Sequence, residues 1–187
     1  MPTKHVFEVH WEPFFSLYPY SSFWEEKDPL VEEPTYYLLD LLRRHEIKAT
    51  WYCVGWLIDK QRNLFDFIEK EGHKIGWHTY YHTGPLSSKY PDNFMDSDKF
   101  LVYRSPRWKG EKRLYSGGFW LRLMPYWWLK REVLKSGTFF VHPHDLLFEH
   151  PKCGIRTFDR RLGLKTARDK LERLCRQVEF KNEMPSL

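Results

Sequence analysis

The regular alternation of strand-like and helix-like segments in the first 80 residues constrains the fold most strongly. Each strand-like segment is short and rich in apolar residues, and each helix-like segment carries apolar residues at helical spacing. This order predicts a parallel sheet with helices packed outside it, and therefore an α/β fold. The predicted strands are Lys4–Trp11, Lys48–Val54 and His73–Trp77, and the predicted helices lie near Tyr36–His45 and Leu57–Ile68.

The rest of the chain has a looser pattern. A polar, turn-rich stretch at 13–34 and another at 83–100 predict loops, the first of them around a site because of its length. No internal repeat and no linker are evident, so the 187 residues are predicted to form a single domain, 1–187. The later predicted elements are strands at Leu101–Arg104 and Thr138–His142 and helices at Met124–Lys135 and Thr166–Val178.

Composition excludes several classes of protein. With 42% hydrophobic residues the chain can bury a core, which excludes a disordered protein. No apolar run approaches the roughly 18 residues that a membrane span needs. The net charge of +5 is scattered, so we expect no nucleic-acid partner. Three cysteines without a CxxC pair indicate reduced thiols, and the first residues lack a signal region, so we expect a cytoplasmic location.

Titratable side chains follow three of the predicted strands. Because ligand sites of parallel α/β proteins lie beyond the carboxyl ends of the strands, we expect these side chains to converge. His78 and His82 are spaced i, i+4, which places both imidazoles on one side of a helical turn, where they suit a divalent metal. A third ligand is then needed, and His10 is the natural candidate. The alternative is that the pair arises by chance among nine histidines. The side chains concerned are Glu8, His10, Glu12, His78, His82, His142, His144 and Asp145.

Three further features each allow two interpretations. His142 has a near-neutral pKa in its unperturbed state and suits a general acid, but a hydrogen-bonded core histidine is the alternative. Arg104 is a candidate for orienting a carboxylate, or it forms a surface salt bridge. The run Tyr126–Trp128 suits sugar stacking or a membrane surface, whereas helix core is the simpler interpretation.

Several segments resemble the polysaccharide deacetylases (carbohydrate esterase family 4). The family pattern reads ATFFVVG…GHEIGSHxxxH, and the chain has ATWYCVGW at 49–56 and GHKIGWHTYYH at 72–82. YRSPRW at 103–108 resembles the arginine–proline motif of the family. Three further segments resemble a branch with the pattern SGGGYFRLLPY…HPWE, and Ile155–Phe180 resembles its final helix. These segments are Ser116–Phe119, Leu123–Tyr126 and Phe140–Asp145.

This resemblance implies a deformed, incomplete (β/α)7-type barrel, here shortened, with a divalent metal, most simply Zn²⁺, in its mouth. By analogy His78 and His82 are metal ligands, and His10 stands where the family has its carboxylate ligand. Glu8 stands at the position of the general-base Asp, Arg104 holds that base, and His142 protonates the leaving amine. Both aspartates of the family pattern FDVDWE have therefore changed, to Glu8 and His10.

The resulting hypothesis is a metal-dependent hydrolase that removes N-acetyl groups from amino sugars of a glycan or glycan precursor. Trp11, Tyr81 and Trp108 are expected to stack on pyranose rings. The alternative is a catalytically impaired, deacetylase-like protein that binds carbohydrate without turning it over, which the changes at Glu8 and His10 motivate. An N-acetylated carbohydrate is the expected partner, and the sequence does not indicate an oligomeric state.

Overall fold

The computed structural model describes residues 5–16, 22–82, 102–103, 115–149 and 162–180. Predictions for Arg104, Trp108 and the stretch 83–100 lie outside these residues.

A parallel sheet of five strands, in the order β4-β3-β2-β1-β5, forms the centre of the described structure. β1 pairs with β2 on one side and with β5 on the other, and every pairing is parallel. The described strands therefore end with β4 at one edge and β5 at the other, as in an incomplete barrel, and the predicted α/β class with its parallel sheet is confirmed. The strands are β1 (Val6–Trp11), β2 (Thr50–Cys53), β3 (Lys74–Trp77), β4 (Val102–Tyr103) and β5 (Thr138–Val141).

Helices cover the sheet on both sides, and the burial of β1 reflects this. Phe7 to Trp11 are all buried, which is typical of a parallel strand with packed layers on both sides. The helix α2 buries Leu38, Leu41 and Leu42 on one stripe. The helices are α1 (Ser22–Glu26), α2 (Glu32–Arg44), α3 (Gly55–Lys60), α4 (Arg62–Lys70), α5 (Phe119–Leu123), α6 (Tyr126–Ser136) and α7 (Leu164–Gln177).

The stretch 13–34 differs from the predicted loop. It contains α1, and α2 begins at Glu32, four residues before the predicted start at Tyr36. Pro34 lies in the first turn of α2, where its missing N–H has no intrahelical partner to lose. Glu32 and Glu33 also favour this end of the helix through the helix dipole. The proline indicated a loop in the sequence, but in this position it is compatible with helix.

None of the helices in the described part of the chain is both long enough and apolar enough to span a membrane.

Candidate active site

Three polar residues extend from the first strand towards one edge of the sheet. Glu8, His10 and Glu12 alternate along the chain, so they share the face of β1 that is opposite to Val9 and Trp11. Glu12 comes directly after the strand and is only 2% exposed. A carboxylate so fully removed from water requires charged or hydrogen-bonding partners.

Three imidazoles surround the Glu12 carboxylate. His82 Nε2 lies 2.7 Å from Glu12 Oε2, and His78 Nε2 lies 3.6 Å from the same oxygen. His142 Nε2 is 3.9 Å from Glu12 Oε1. Ligand atoms of Glu12, His78 and His82 all lie within 4.8 Å of one another, which is compatible with a shared metal ion. We call these three residues the ligand group.

The loop 78–82 that carries both histidines is not a helical turn, which corrects the sequence-based expectation for this segment. Thr79 and His82 both have positive φ angles, 64° and 53°, and such a conformation is rare for a β-branched residue. The first two amides of α3 hold the loop, since Gly55 N–H donates to Thr79 O and Trp56 N–H donates to Tyr80 O, both at 3.0 Å. The imidazoles therefore meet through irregular backbone fixed by a helix terminus.

Ser16 contacts both a carboxylate and an imidazole of the ligand group. Its hydroxyl donates to Glu12 Oε1 at 2.8 Å, and its carbonyl accepts a hydrogen bond from His82 Nδ1 at 2.9 Å. A histidine whose Nδ1–H is bound to a carbonyl presents Nε2 as the ligand atom. The tautomer of His82 is thus set for coordination through the atom that faces Glu12.

Burial and charge act in opposite directions on this cluster. Burial opposes ionisation of Glu12, but His82 and His142 outweigh it and hold the pKa of this carboxyl well below its usual value. Burial likewise opposes protonation of His82 and His142, yet Glu12 raises the pKa of both imidazoles. The cluster therefore favours a carboxylate with positive charge beside it, which is the electrostatic environment that a bound cation also satisfies.

His10 lies next to the ligand group but is not among the residues whose ligand atoms lie within 4.8 Å of one another, so its expected role as the third ligand stays a prediction. Its ring is 5.0 Å from the ring of His78 between centroids, and it stacks on Phe140 at 5.3 Å. Its Nε2 lies 3.6 Å from Glu8 Oε2. Glu12, two residues further along the same face, is the residue whose carboxylate approaches both His78 and His82.

His142 is held by the 3₁₀ turn that follows β5. This turn spans Pro143–Leu146 and places Asp145 so that Oδ2 accepts from His142 Nδ1 at 2.8 Å and from His142 N at 3.1 Å. The other oxygen, Oδ1, lies 3.0 Å from Arg122 Nε. Although burial would raise the pKa of Asp145, its partners His142, His144 and Arg122 lower it. Asp145 is thus an ionised support for the imidazole.

The aromatic residues expected to bind sugar are placed differently from one another. Trp11 is fully buried, and its Nε1–H donates to Thr35 Oγ1 of α2 at 2.9 Å, so it cannot offer a ring face to a ligand and that expectation is corrected. Tyr81 is half-buried and lies edge-on to Tyr80 and Trp24. Trp108 and Arg104 lie outside the described residues, so their roles stay predictions.

Sequence reasoning named Glu12 and Asp145 as polar residues at strand ends but gave neither a role. The period of two along β1 was the available signal for Glu12, because it shares a face with Glu8 and His10. The spacing of three between His142 and Asp145 matches a capping box in a short turn. Ser16 and Arg122 had no comparable signal, since their contacts depend on tertiary structure.

The fold and the cluster define the class of this protein: a parallel α/β protein with a candidate metal centre at the carboxyl ends of its strands. Two family models match adjacent parts of the chain. The polysaccharide deacetylase model matches residues 26–98, and a domain of unknown function, DUF3473, matches residues 104–186. Residues 26–98 are thus similar to the polysaccharide deacetylases.

Similar proteins include two curated bacterial enzymes. One is a peptidoglycan-N-acetylglucosamine deacetylase of Bacillus cereus, 33% identical over 46% of this chain and 42% of its own length. The other is a peptidoglycan-N-acetylmuramic acid deacetylase of Bacillus subtilis, 26% identical over 61% of this chain and 50% of its own length. The chain thus spans half or less of the length of these relatives.

Solved structures show the same fold at low sequence identity. A Mycobacterium smegmatis protein assigned to the polysaccharide deacetylases has a TM-score of 0.51 and 12% identity, covering 96% of this chain and 87% of its own. A mutant CE4 family pseudoenzyme with restored enzymatic activity has a TM-score of 0.50 and 15% identity, covering 95% of this chain and 65% of its own.

Proposed function

We propose that this chain is a metal-dependent hydrolase that removes N-acetyl groups from amino sugars of a glycan or glycan precursor. The observation that carries the proposal is the convergence of Glu12, His78 and His82 beside His142. Such an arrangement combines a metal-binding group with a proton donor in one small volume. The family and the names of the curated relatives support the substrate class.

The ligand group fits a divalent metal by its donor chemistry. Two imidazole nitrogens and one carboxylate oxygen are a common protein ligand set for catalytic Zn²⁺, which leaves a coordination position open. Ser16 orients both Glu12 and His82, as outer partners of metal ligands commonly do. An ion held there would polarise the acetyl carbonyl and stabilise negative charge on its oxygen. Zn²⁺ is the proposed ion.

His142 is the proposed general acid. Asp145 binds Nδ1 and leaves Nε2 on the side of the ligand group, 3.9 Å from Glu12 Oε1. A proton held at Nε2 is therefore next to the place where the amide would be bound and can pass to the departing amine. Burial lowers the pKa of His142, but Glu12 and Asp145 outweigh it and raise this pKa; Asp145 contacts Nδ1 directly and is not a member of the ligand group.

Glu8 is the proposed proton acceptor. It is 6% exposed and lies on the same face as the ligand group, with Oε2 3.6 Å from His10 Nε2. His10 would hold this carboxylate in place from within β1, and Arg104 is proposed as its second partner. The cytoplasmic location stays a prediction, and with it the idea that the substrate is a precursor rather than a wall polymer.

A second candidate function is supported by the contact between Glu8 and His10. The carboxylate proposed as base is paired with an imidazole where the family pattern has two acids, so a glycan-binding protein without turnover is the alternative. Reverting both positions, Glu8→Asp with His10→Asp, distinguishes the two. Acetate release that appears only in the double variant would assign the natural chain to the binding class.

Acetate release tests the leading proposal directly. The protein is stripped of metal with a chelator, reloaded with Zn²⁺ and incubated with N-acetylated chito-oligosaccharides and with peptidoglycan fragments. We expect release by the reloaded protein and about 10²-fold or greater loss in Glu12→Ala, while Glu149→Ala, a change at an exposed acid, leaves the rate unchanged. Equal rates of acetate release with and without metal would refute metal dependence. If no acetate were released from any substrate, the proposed deacetylase activity would be refuted.

A further inference from the structure

Arg122 forms a buried ion pair behind the proposed general acid. Its side chain is 4% exposed and that of Asp145 is 1% exposed, and Arg122 Nε lies 3.0 Å from Asp145 Oδ1. Two charges so far from water are retained only when each compensates the other. Arg122 lies on α5, a helix that contributes no residue to the ligand group, so its contact with the site runs through Asp145.

The backbone around Arg122 is fixed by the last helix. Lys170 Nζ of α7 donates to the carbonyls of Leu121 and Arg122 at 3.2 and 2.9 Å. Gly163 lies directly against the Arg122 backbone, with no space for a Cβ, and has a φ of 73°. Arg122 Nη1 also donates to Leu162 O at 3.4 Å. The guanidinium is therefore positioned by contacts that the imidazole does not share.

The two oxygens of Asp145 have separate partners. Oδ1 meets Arg122, while Oδ2 accepts from the Nδ1 and the backbone N of His142. A carboxylate bound at only one oxygen can rotate, whereas one held at both oxygens keeps its orientation. The direction of His142 Nε2 towards Glu12 consequently depends on Arg122 through one intervening residue.

We propose that Arg122 is a positioning residue: it locks the Asp145 carboxylate so that His142 is held with Nδ1–H bonded and Nε2 facing the ligand group. The effect on turnover rests on the proposed deacetylase function, but the effect on His142 does not. Loss of the guanidinium leaves Asp145 Oδ1 without its ionic partner and lets the carboxylate, and the imidazole bound to it, turn.

The test measures the exchange of the His142 Nδ1 proton with water by NMR of protein labelled with ¹⁵N in histidine, both Zn²⁺-loaded and metal-free. We expect slow exchange in the natural protein, at least tenfold faster exchange in Arg122→Gln, and an intermediate rate in Arg122→Lys, which keeps the charge without the planar fork. Arg168→Gln is the matched control, because Arg168 donates to Leu146 O of the same 3₁₀ turn without contacting Asp145.

The same variants separate positioning from binding in the acetate-release assay. Arg122→Gln should lower kcat by about 10- to 100-fold with little change in KM, since a displaced acid affects the reaction more than substrate binding. Exchange in Arg122→Gln equal to that in Arg168→Gln would overturn the proposal. If Arg122→Gln does not fold, equal exchange in Arg122→Lys and Arg168→Gln overturns it instead. An inactive natural protein would refute the proposed function, while the exchange rates would still decide the role of Arg122.

Discussion

Glu12 illustrates how much a single buried charge determines in this protein. Its carboxylate is 2% exposed and is stabilised by His82, by His142 and by the hydroxyl of Ser16. Removing one partner of such a group leaves the others with uncompensated charge, so the cluster responds as a unit. His10, only two residues away, belongs instead to a pair with Glu8. Two neighbouring residues on one strand face thus have different expected effects on metal binding.

The first prediction compares Glu12→Gln with His10→Gln. Glutamine keeps the approximate volume of each side chain but removes the anionic ligand at residue 12 and the imidazole at residue 10. We expect Glu12→Gln to lower Zn²⁺ affinity by at least about tenfold and His10→Gln to change it by less than about threefold, as measured by competition with a chromogenic chelator. If His10→Gln lost more Zn²⁺ affinity than Glu12→Gln, His10 rather than Glu12 would be the third metal ligand.

His73 gives a pH dependence that is separate from the site. Its Nδ1 accepts from Ala49 N–H at 3.3 Å, and burial, with Lys48 nearby, lowers the pKa of His73 from 6.5 to about 4. Because the folded state binds this proton less readily than the unfolded chain, the associated stability is present above pH 6.5. It is lost as the pH falls from 6.5 towards about 4.

The second prediction concerns His73→Asn. Asparagine offers a carbonyl oxygen near the position of Nδ1 but has no titration, so the fall in stability between pH 6.5 and 4 should shrink by about 2 kcal/mol while stability at pH 8 changes little. Urea unfolding at a series of pH values measures this. His73→Leu, which lacks an acceptor for Ala49 N–H, serves as the comparison and should be destabilised at every pH. An unchanged slope in His73→Asn would assign the pH dependence to other groups.

At the level of elements, the junction of α3 with the loop 78–82 sets the geometry of both histidines. Gly55 begins α3, and a Cβ there would overlap the rings of Trp77 and Tyr80, which flank His78 and Thr79. The same residue donates its amide to Thr79 O. Helix α3 therefore approaches the strand end closely enough to hold the loop only because residue 55 has no side chain.

The third prediction is that Gly55→Ala weakens metal binding through the loop rather than through a ligand. Overpacking against Trp77 and Tyr80 should lower the free energy of unfolding by about 1–3 kcal/mol and reduce Zn²⁺ affinity. Gly137→Ala is the control: its φ of 74° strains alanine, but a Cβ there meets nothing within 4 Å, so it should cost about 1 kcal/mol and leave metal affinity unchanged. Equal Zn²⁺ affinity in Gly55→Ala and Gly137→Ala would show that close packing at Gly55 does not determine the metal-binding geometry of the loop 78–82.

The elements themselves were largely predictable from the sequence, whereas the loop conformation was not. Apolar spacing indicates β1 and α2 because burial on a strand face or helix stripe repeats along the chain. The positive φ angles of Thr79 and His82 leave no such trace, because tertiary contacts with α3 impose them. The sequence also could not distinguish His10 from Glu12 as a ligand. Both lie on the same face of the chain, and only their contacts in the folded structure differ.

In the molecule as a whole, strand β1 joins the two parts of the chain that different family models match. β1 pairs with β2, which lies within residues 26–98, and with β5, which lies within residues 104–186. Phe7 of β1 also contacts Phe139 and Phe180 edge-on, with centroid distances of 5.0 and 5.2 Å. Neither part has its own separate sheet among the described residues, so the prediction of one domain implies one cooperative unfolding transition.

The fourth prediction uses a core leucine of the last helix to test this coupling. Leu171 of α7 is fully buried, and Leu171→Ala should lower the free energy of unfolding by about 2–5 kcal/mol. Hydrogen exchange of the β2 and β3 amides should accelerate together with that of β5, because the strands open as one unit. Leu134→Ala is the control, since Leu134 is 49% exposed and its loss should cost less than about 1 kcal/mol. If Leu171→Ala accelerated exchange in β5 but left β2 and β3 protected, the chain would consist of two separately stable units, and the ligand group would belong to the first of them without the support of His142.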